Sequence, residues 1–482
     1  MLETVRCASD KERRLRTTTR RRALGGVSVL ALVWSMTGLA NPAAAEHVAC
    51  GDVITHSTTL DRDIGPCPGF GLIVAANNLV LDLNGHTITG DPEVRQSPDK
   101  AGVLLRQVSA VTVRNGTVQR FDAGVAIMGG GDNVVTRVTA QDNVNYRVVT
   151  GRDARPGDVD REQGPFCDFG DGITVFNSTG NVIEKNVLSG NGPFSGVSLV
   201  YDSDDNVVAK NDFRDNDLLN LTPAGENTIC GGLGTPQQPM EEGRVSQDAG
   251  VRIEGPGADR NLIEANSIKR SGLSGVFVSG YQMGVGSNNG DNVIRKNRIS
   301  ETGLRTHDSG GDGTESYRSS GITLHHAGTS RVHVSHGNII EKNNSSRNFG
   351  AGIEVTGPTP GSGRVGHAGN TIRNNVANHN FLDGIHLSEG TVQTIVTGNR
   401  AHNNGRDKER VAEISEADRY SNWDGVDGGD YNPECGSNVW SRNRFGTVNQ
   451  PCVAANGTGW VGGPGRSGSS QGGRGGPLTK KG

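Results

Sequence analysis

Five residues of this 482-residue chain place acid–base and cationic chemistry at one repeated slot and the position two residues after it: Arg252, Glu254, His325, Glu354 and His386. All lie in or just after runs of the form Gly-[Ile/Val]-x-[Val/Ile/Leu], which recur as GITV at 172, GVSL at 196, GVRI at 250, GVFV at 275, GITL at 321, GIEV at 352 and GIHL at 384. If the aliphatic residues point inward, the residue between them points outward, because successive strand side chains alternate. The outward slot then reads Thr174, Ser198, Arg252, Phe277, Thr323, Glu354, His386, and two residues further on Phe176, Val200, Glu254, Ser279, His325, Thr356, Ser388. Stacked run upon run, Glu354 and His386 become direct neighbours and His325 lies diagonal to Glu354. A carboxylate beside imidazoles can act as acid and base, and an arginine on the same face can hold a ligand's carboxylate. His325, Glu354 and His386 are therefore the candidate catalytic residues, with Arg252 and Glu254 as candidate binding residues. The competing reading is a solvated polar face with an incidental Glu–His pair.

The elements that would carry these residues are short strands. A second phrase, Asn-x-[Ile/Val]-x-x-Asn, begins at Asn181, Asn206, Asn292, Asn338 and Asn370, with a variant at Asn261. Uninterrupted repeats are 24 or 25 residues apart, as from Gly172 to Gly196 and from Asn181 to Asn206. Alternating aliphatics over such short runs predict strands with one buried face, and the flanking Gly and Asn are expected to supply turns with positive φ. With no helical pattern between them, the strands are expected to form coils that stack in parallel about 4.8 Å apart. Asn186, Asn211, Asn266 and Asn297 would then stack as a buried amide ladder. The outward column of this second phrase, Glu184, Ala209, Glu264, Arg295, Glu341 and Arg373, alternates in sign at its end and reads as structural cross-strand pairing. A stacked core also accounts for a composition of 33% hydrophobic residues, 4% aromatics and 72 glycines, which in an unrepetitive chain would suggest disorder.

This grammar resembles the right-handed parallel β-helix superfamily that includes pectate lyases, polygalacturonases, mannuronan epimerases and NosD-like accessory proteins. The resemblance covers roughly Asp52 to Cys452. CPGFGLIVAANNLVLDLNGHTITG, from Cys67, resembles the opening coil of exported bacterial members, and CGSNVWSRNRFGTVNQPC, from Cys435, their closing coil. It implies an all-β, single-domain right-handed parallel β-helix over residues 46–456, with loop insertions and disulfide-clipped ends. It implies little about reaction type, since the repeat is common to the whole group. The GHG and RIK signatures of polygalacturonases are absent, and Asp204-Asp205 stands in a turn; DGIHLSE, from Asp383, is a loose echo of the epimerase DPHD motif. A lyase or epimerase acting on an acidic, uronate-containing polysaccharide would use His325 or His386 to remove the C5 proton and Arg252 to neutralise the uronate. The alternatives are a non-catalytic protein that binds carbohydrate or the cell envelope, and an accessory protein that matures a metal site.

Residues 1–45 read as a signal peptide: a basic stretch ending TTTRRRALGG, an apolar run VSVLALVWSMTGLA and small residues NPAAA, with Thr19–Leu24 resembling a twin-arginine export signal. A secreted or extracellular protein with no membrane span is expected. The segment carries eight Lys/Arg and three Asp/Glu, a net of +5, so the formal charge of −4 becomes −9 without it. Such a surface argues against nucleic acid or an anionic membrane as the main partner. A monomer is expected, with polysaccharide as its partner. Once Cys7 leaves with the signal, six cysteines remain, and fifteen pairings are open. The expected set is Cys50–Cys67, Cys167–Cys230 and Cys435–Cys452.

Six insertions are readable, at about 151–170, 217–248, 280–290, 303–319, 357–369 and 406–433. Their aromatic residues include Phe166, Phe169, Tyr281, Tyr317, Tyr420, Trp423 and Tyr431, and exposed rings suit stacking on sugars or the packing of the loops themselves. Tyr281, Tyr317 and Trp423 join the candidate substrate-binding residues. Calcium is a candidate cofactor at Asp424, Asp427 and Asp430, or at Asp308, Asp312 and Glu315, although neither set matches the twelve-residue calcium loop. Asp168, Asp171, Asp202, Asp204 and Asp205 could contribute carboxylates to the N-terminal half of the groove, but turn chemistry is the better reading. Residues 457–482, rich in Gly and Ser, are expected to be disordered.

Overall fold

The computed structural model describes residues 47–91, 100–144, 171–192, 194–216, 249–255, 257–279, 289–303, 320–325, 335–357, 365–405 and 425–461. The six expected insertions lie wholly or largely outside this set, as do residues 1–46, Cys167 and Cys230.

The described chain is a parallel β-helix, every paired strand running parallel to its neighbours in the adjoining coils. One sheet of 15 strands collects the glycine phrases, from Asp52–Ile54 through Asp171–Phe176, Ser195–Val200, Ala249–Glu254, Val276–Ser279, Ile322–His325, Ile353–Val355 and Ile385–Leu387 to Gly428–Asp430. The asparagine phrases line the other faces, through strands such as Val182–Glu184, Val207–Ala209, Leu262–Glu264 and Val293–Arg295. The aliphatic pairs of the phrases, among them Ile173 and Val175, Val197 and Leu199, and Ile385 and Leu387, are wholly buried in one continuous core.

Asparagine holds the coils together beneath that apolar layer. Asn186, Asn211, Asn266 and Asn297 form the expected ladder, which runs on through Asn343, Asn375, Asn399 and Asn443. In each rung a side-chain Nδ2 donates to the next Oδ1, while the backbone N–H of the same residue donates there too. Two further ladders run beside it, one from Asn133 to Asn370 and one containing Asn143, Asn191 and Asn216. The buried ladder amides thereby find their partners within the protein, as burial of polar groups requires.

The flanking Gly and Asn supply positive-φ turns as expected, with Gly180, Gly337, Gly369 and Asn374 each standing directly before a ladder asparagine, and other residue types share the task. Positive φ falls on the residue before the ladder asparagine, and that residue is commonly Lys, as at Lys185, Lys210, Lys296 and Lys342. The glycine of the phrase is needed for close approach: a Cβ on Gly196 would sit 2.8 Å from the carbonyl oxygen of Gly250 and 2.6 Å from the Phe213 ring.

Both end disulfides form as expected, Cys50–Cys67 and Cys435–Cys452. The closing coil extends past residue 456. Thr458–Val461 pairs with Arg444–Val448 and covers its edge, so part of the Gly-rich tail is structured; residues 462–482 lie outside the described set.

Candidate functional site

The outward slot forms one column in the order read from the sequence. Thr174 pairs with Ser198, Ser198 with Arg252, Arg252 with Phe277, Phe277 with Thr323, Thr323 with Glu354 and Glu354 with His386. Glu254, Ser279 and His325 align likewise two residues further on. The column is not solvated: Ser198, Thr323, Glu354 and His386 are wholly buried, Arg252 is 3% exposed and His325 6%. This burial removes the reading of an open polar face.

The C-terminal end of the column holds an ordered acid–base cluster. His386 Nδ1 is 2.8 Å from Asp383 Oδ2, and His386 Nε2 is 3.1 Å from Ser388 Oγ. Two further donors reach Asp383: the Val426 backbone N–H to Oδ1 and the Tyr431 hydroxyl to Oδ2, each at 2.8 Å. The Tyr431 ring also stacks on the imidazole at 4.4 Å between centroids. An acceptor-only carboxylate places the mobile proton of the neutral ring on Nδ1 and leaves the Nε2 lone pair to accept the Ser388 hydroxyl. Next to His386, Glu354 Oε2 accepts a 2.5 Å hydrogen bond from Ser320 Oγ.

A second cluster lies at the other end of the column. Asp171 accepts from Thr174 Oγ1, Ser195 Oγ and Ser198 Oγ at 2.6 to 2.7 Å. Burial outweighs these bonds and the pull of Arg252, and pushes the Asp171 carboxyl up to about 7. Arg252 itself donates to Glu254 at 2.5 Å and lies 4.1 and 4.7 Å from the ring centroids of Phe194 and Phe277. The two candidate binding residues are thus bound to each other, while the His325 ring packs beside Phe277 at 5.2 Å.

Sequence reasoning noted Asp383 only as the first residue of a motif echo, gave it no role, and preferred turn chemistry for Asp171. Their common signal is an Asp directly before the phrase glycine. In both coils the carboxylate meets the outward residue three positions later, Thr174 in one and His386 in the other, and in the second the chain bends at Gly384.

The other candidates separate from these clusters. Glu264 binds Arg295 and Lys296, and Glu341 binds Arg373, so the second column is structural as expected. Tyr281, Tyr317, Trp423, Asp424, Asp308, Asp312 and Glu315 lie outside the described residues. Asp427 accepts from Asn404 and Thr447, and Asp430 from Trp440, Asn438 and Asn432. Those two carboxylates face N–H donors, and among the described residues no group of three or more His, Cys, Asp or Glu is arranged to hold a metal.

The family model for the right-handed β-helix region matches residues 71–232 and 244–449. The chain belongs to that family. No curated protein sequence matches it. Similar solved structures include the periplasmic alginate epimerase AlgG, 13% identical over 73% of this chain and 72% of that one, with a TM-score of 0.45. The Dettilon tailspike protein is 16% identical over 73% and 58% of the two chains, with a TM-score of 0.41. DFA-IIIase from Arthrobacter chlorophenolicus A6 is 11% identical over 68% of each, with a TM-score of 0.38. At these identities the likeness concerns the fold alone. Among the described residues no helix is long and apolar enough to cross a membrane.

Proposed function

We propose that this protein is an exported enzyme acting on an acidic extracellular polysaccharide, removing the C5 proton of a uronate residue as a lyase or epimerase does. The observation that supports this reading is His386, whose basic Nε2 is defined by the Asp383 bond at Nδ1 and whose ring is held by Tyr431. In a buried setting such an imidazole keeps its geometry while it takes a proton. Glu354, the neighbour of His386 in the column, is the second group able to exchange a proton, and His325 lines the same face. Arg252 supplies the cation; a uronate carboxylate binding there would exchange with Glu254. Export is supported by the two end disulfides, which persist in oxidising compartments.

A non-catalytic carbohydrate- or envelope-binding role is the second reading, favoured by the mutual pairing of Arg252 and Glu254. Incubating the secreted protein with a panel of uronate polysaccharides in deuterated water separates the two. An enzyme yields unsaturated products or deuterium at C5. Binding of a glycan with neither change would establish the second reading.

A further inference from the structure

We propose that Ser388 is an acyl-transfer nucleophile, with His386 as its base and Asp383 as the residue that positions the base, so that this face of the solenoid hydrolyses carboxylic esters. The substrate class is an O-acyl group on a polysaccharide; only that choice of alcohol rests on the glycan reading above.

The geometry is that of a serine, a histidine and an aspartate in sequence: Oγ of Ser388 at 3.1 Å from Nε2, and Nδ1 at 2.8 Å from Oδ2 of Asp383. Such an arrangement is recognised by geometry and roles, whatever the fold or chain order. The strand supplies it locally. Residues 386 and 388 share a face because side chains alternate, and the bend at Gly384 returns Asp383 to that face. The Val426 N–H and the Tyr431 hydroxyl keep Asp383 in place from the next coil. Ser388 is 2% exposed, so its hydroxyl is bonded to the imidazole in a dry setting. The other cluster offers an internal contrast, since Ser195 and Ser198 donate directly to Asp171 with no imidazole to accept their protons during attack.

In the reaction, Oγ attacks the ester carbonyl carbon and its proton passes to Nε2. The tetrahedral intermediate collapses, the bond to the sugar oxygen breaks, and that oxygen leaves with the proton from Nε2. Water then attacks the acyl-serine, giving a proton to Nε2. The carboxylic acid departs as Ser388 recovers its proton. Two bonds form and two break, and the net change is hydrolysis.

The test is reaction of the whole purified protein with a fluorophosphonate probe, with the labelled peptide read by mass spectrometry and p-nitrophenyl acetate hydrolysis followed in parallel. The expected result is a single adduct on Ser388 and esterase activity, both lost in Ser388→Ala. Asp383→Asn, which leaves the nucleophile in place, is expected to slow labelling by about 10³- to 10⁴-fold and to alter its dependence on pH. Absence of an adduct on Ser388, or labelling of equal rate in Asp383→Asn, overturns the proposal. The uronate reading is scored separately. Unsaturated or epimerised product from a wild type that forms no adduct on Ser388 would leave that reading standing without an ester function, and an adduct without such product would do the reverse.

Discussion

Asp383 and His386 are three residues apart and 2.8 Å in contact, joined across the bend at Gly384 and wholly buried. The carboxylate defines which imidazole nitrogen is the base, and Tyr431 holds both groups, through a hydroxyl on one and a ring on the other.

If His386 is the proton acceptor, His386→Gln loses turnover on a confirmed uronate polysaccharide by about 10²- to 10⁴-fold, the range for a positioned acid–base group. Product assays alongside a thermal melt check this. Full activity in a folded variant would remove His386 from the mechanism.

Asp171 makes stability depend on pH. Its folded pKa, raised to about 7 from the ordinary 3.8, means that the native protein holds this proton more tightly than the unfolded chain. The stabilising contribution is therefore complete below about pH 4 and is lost as pH rises through about 7, on the order of a few kcal/mol in all. Melting temperatures of the wild type and of Asp171→Asn, measured from pH 4 to pH 8, should diverge over that window, the wild type falling relative to the variant. Parallel curves would contradict the assignment.

The two kinds of column differ in what their loss costs. Asn266→Ala leaves the Asn211 backbone N–H and the Val208 carbonyl buried without their partners, at about 1–3 kcal/mol for each. Lys296→Ala removes the pair of an exposed lysine with Glu264, which keeps Arg295 as partner, worth about 0–1 kcal/mol. Denaturant unfolding of both variants should show the asparagine change to be several times the larger.

Removing Cys435–Cys452 by a double serine substitution should cost about 3 kcal/mol, given its 17-residue separation and the entropy of closing a loop of that length. Hydrogen exchange should rise first at Val439–Ser441 and Arg444–Val448, the strands nearest that clip. Uniform exchange along the solenoid would point to a global effect instead.

The columns were legible in the sequence because parallel stacking turns a recurring phrase directly into register, whatever is inserted between its copies: Glu354 beside His386 follows from GIEV and GIHL alone, 32 residues apart. Burial was not legible. An alternating pattern says which way Glu354 points relative to the core, and nothing about what else covers it. Asp383 escaped because it precedes the glycine and reaches the outward face only through a bend, which alternation does not describe. Arg252 was readable as a cation on the right face, but its capture by Glu254 depends on rotamers. The left-handed turns on Lys185, Lys210 and Lys296 likewise ran against propensity: the buried asparagine that follows each one dictates the local backbone.

The asparagine ladders have an arrow. Along each one, Nδ2 donates toward the later coil and Oδ1 receives from the earlier one, so the side-chain dipoles add head to tail along the solenoid axis as peptide dipoles do in a helix. The positive end faces the C-terminus, and in a further run of amides, Asn348, Asn380 and Asn404, the last donates to the carboxylate of Asp427 in place of another asparagine. A coil can accordingly be duplicated anywhere in the stack and still fit its neighbours, whereas a coil inserted in reverse would set donor against donor. The solenoid can vary in length but not in polarity.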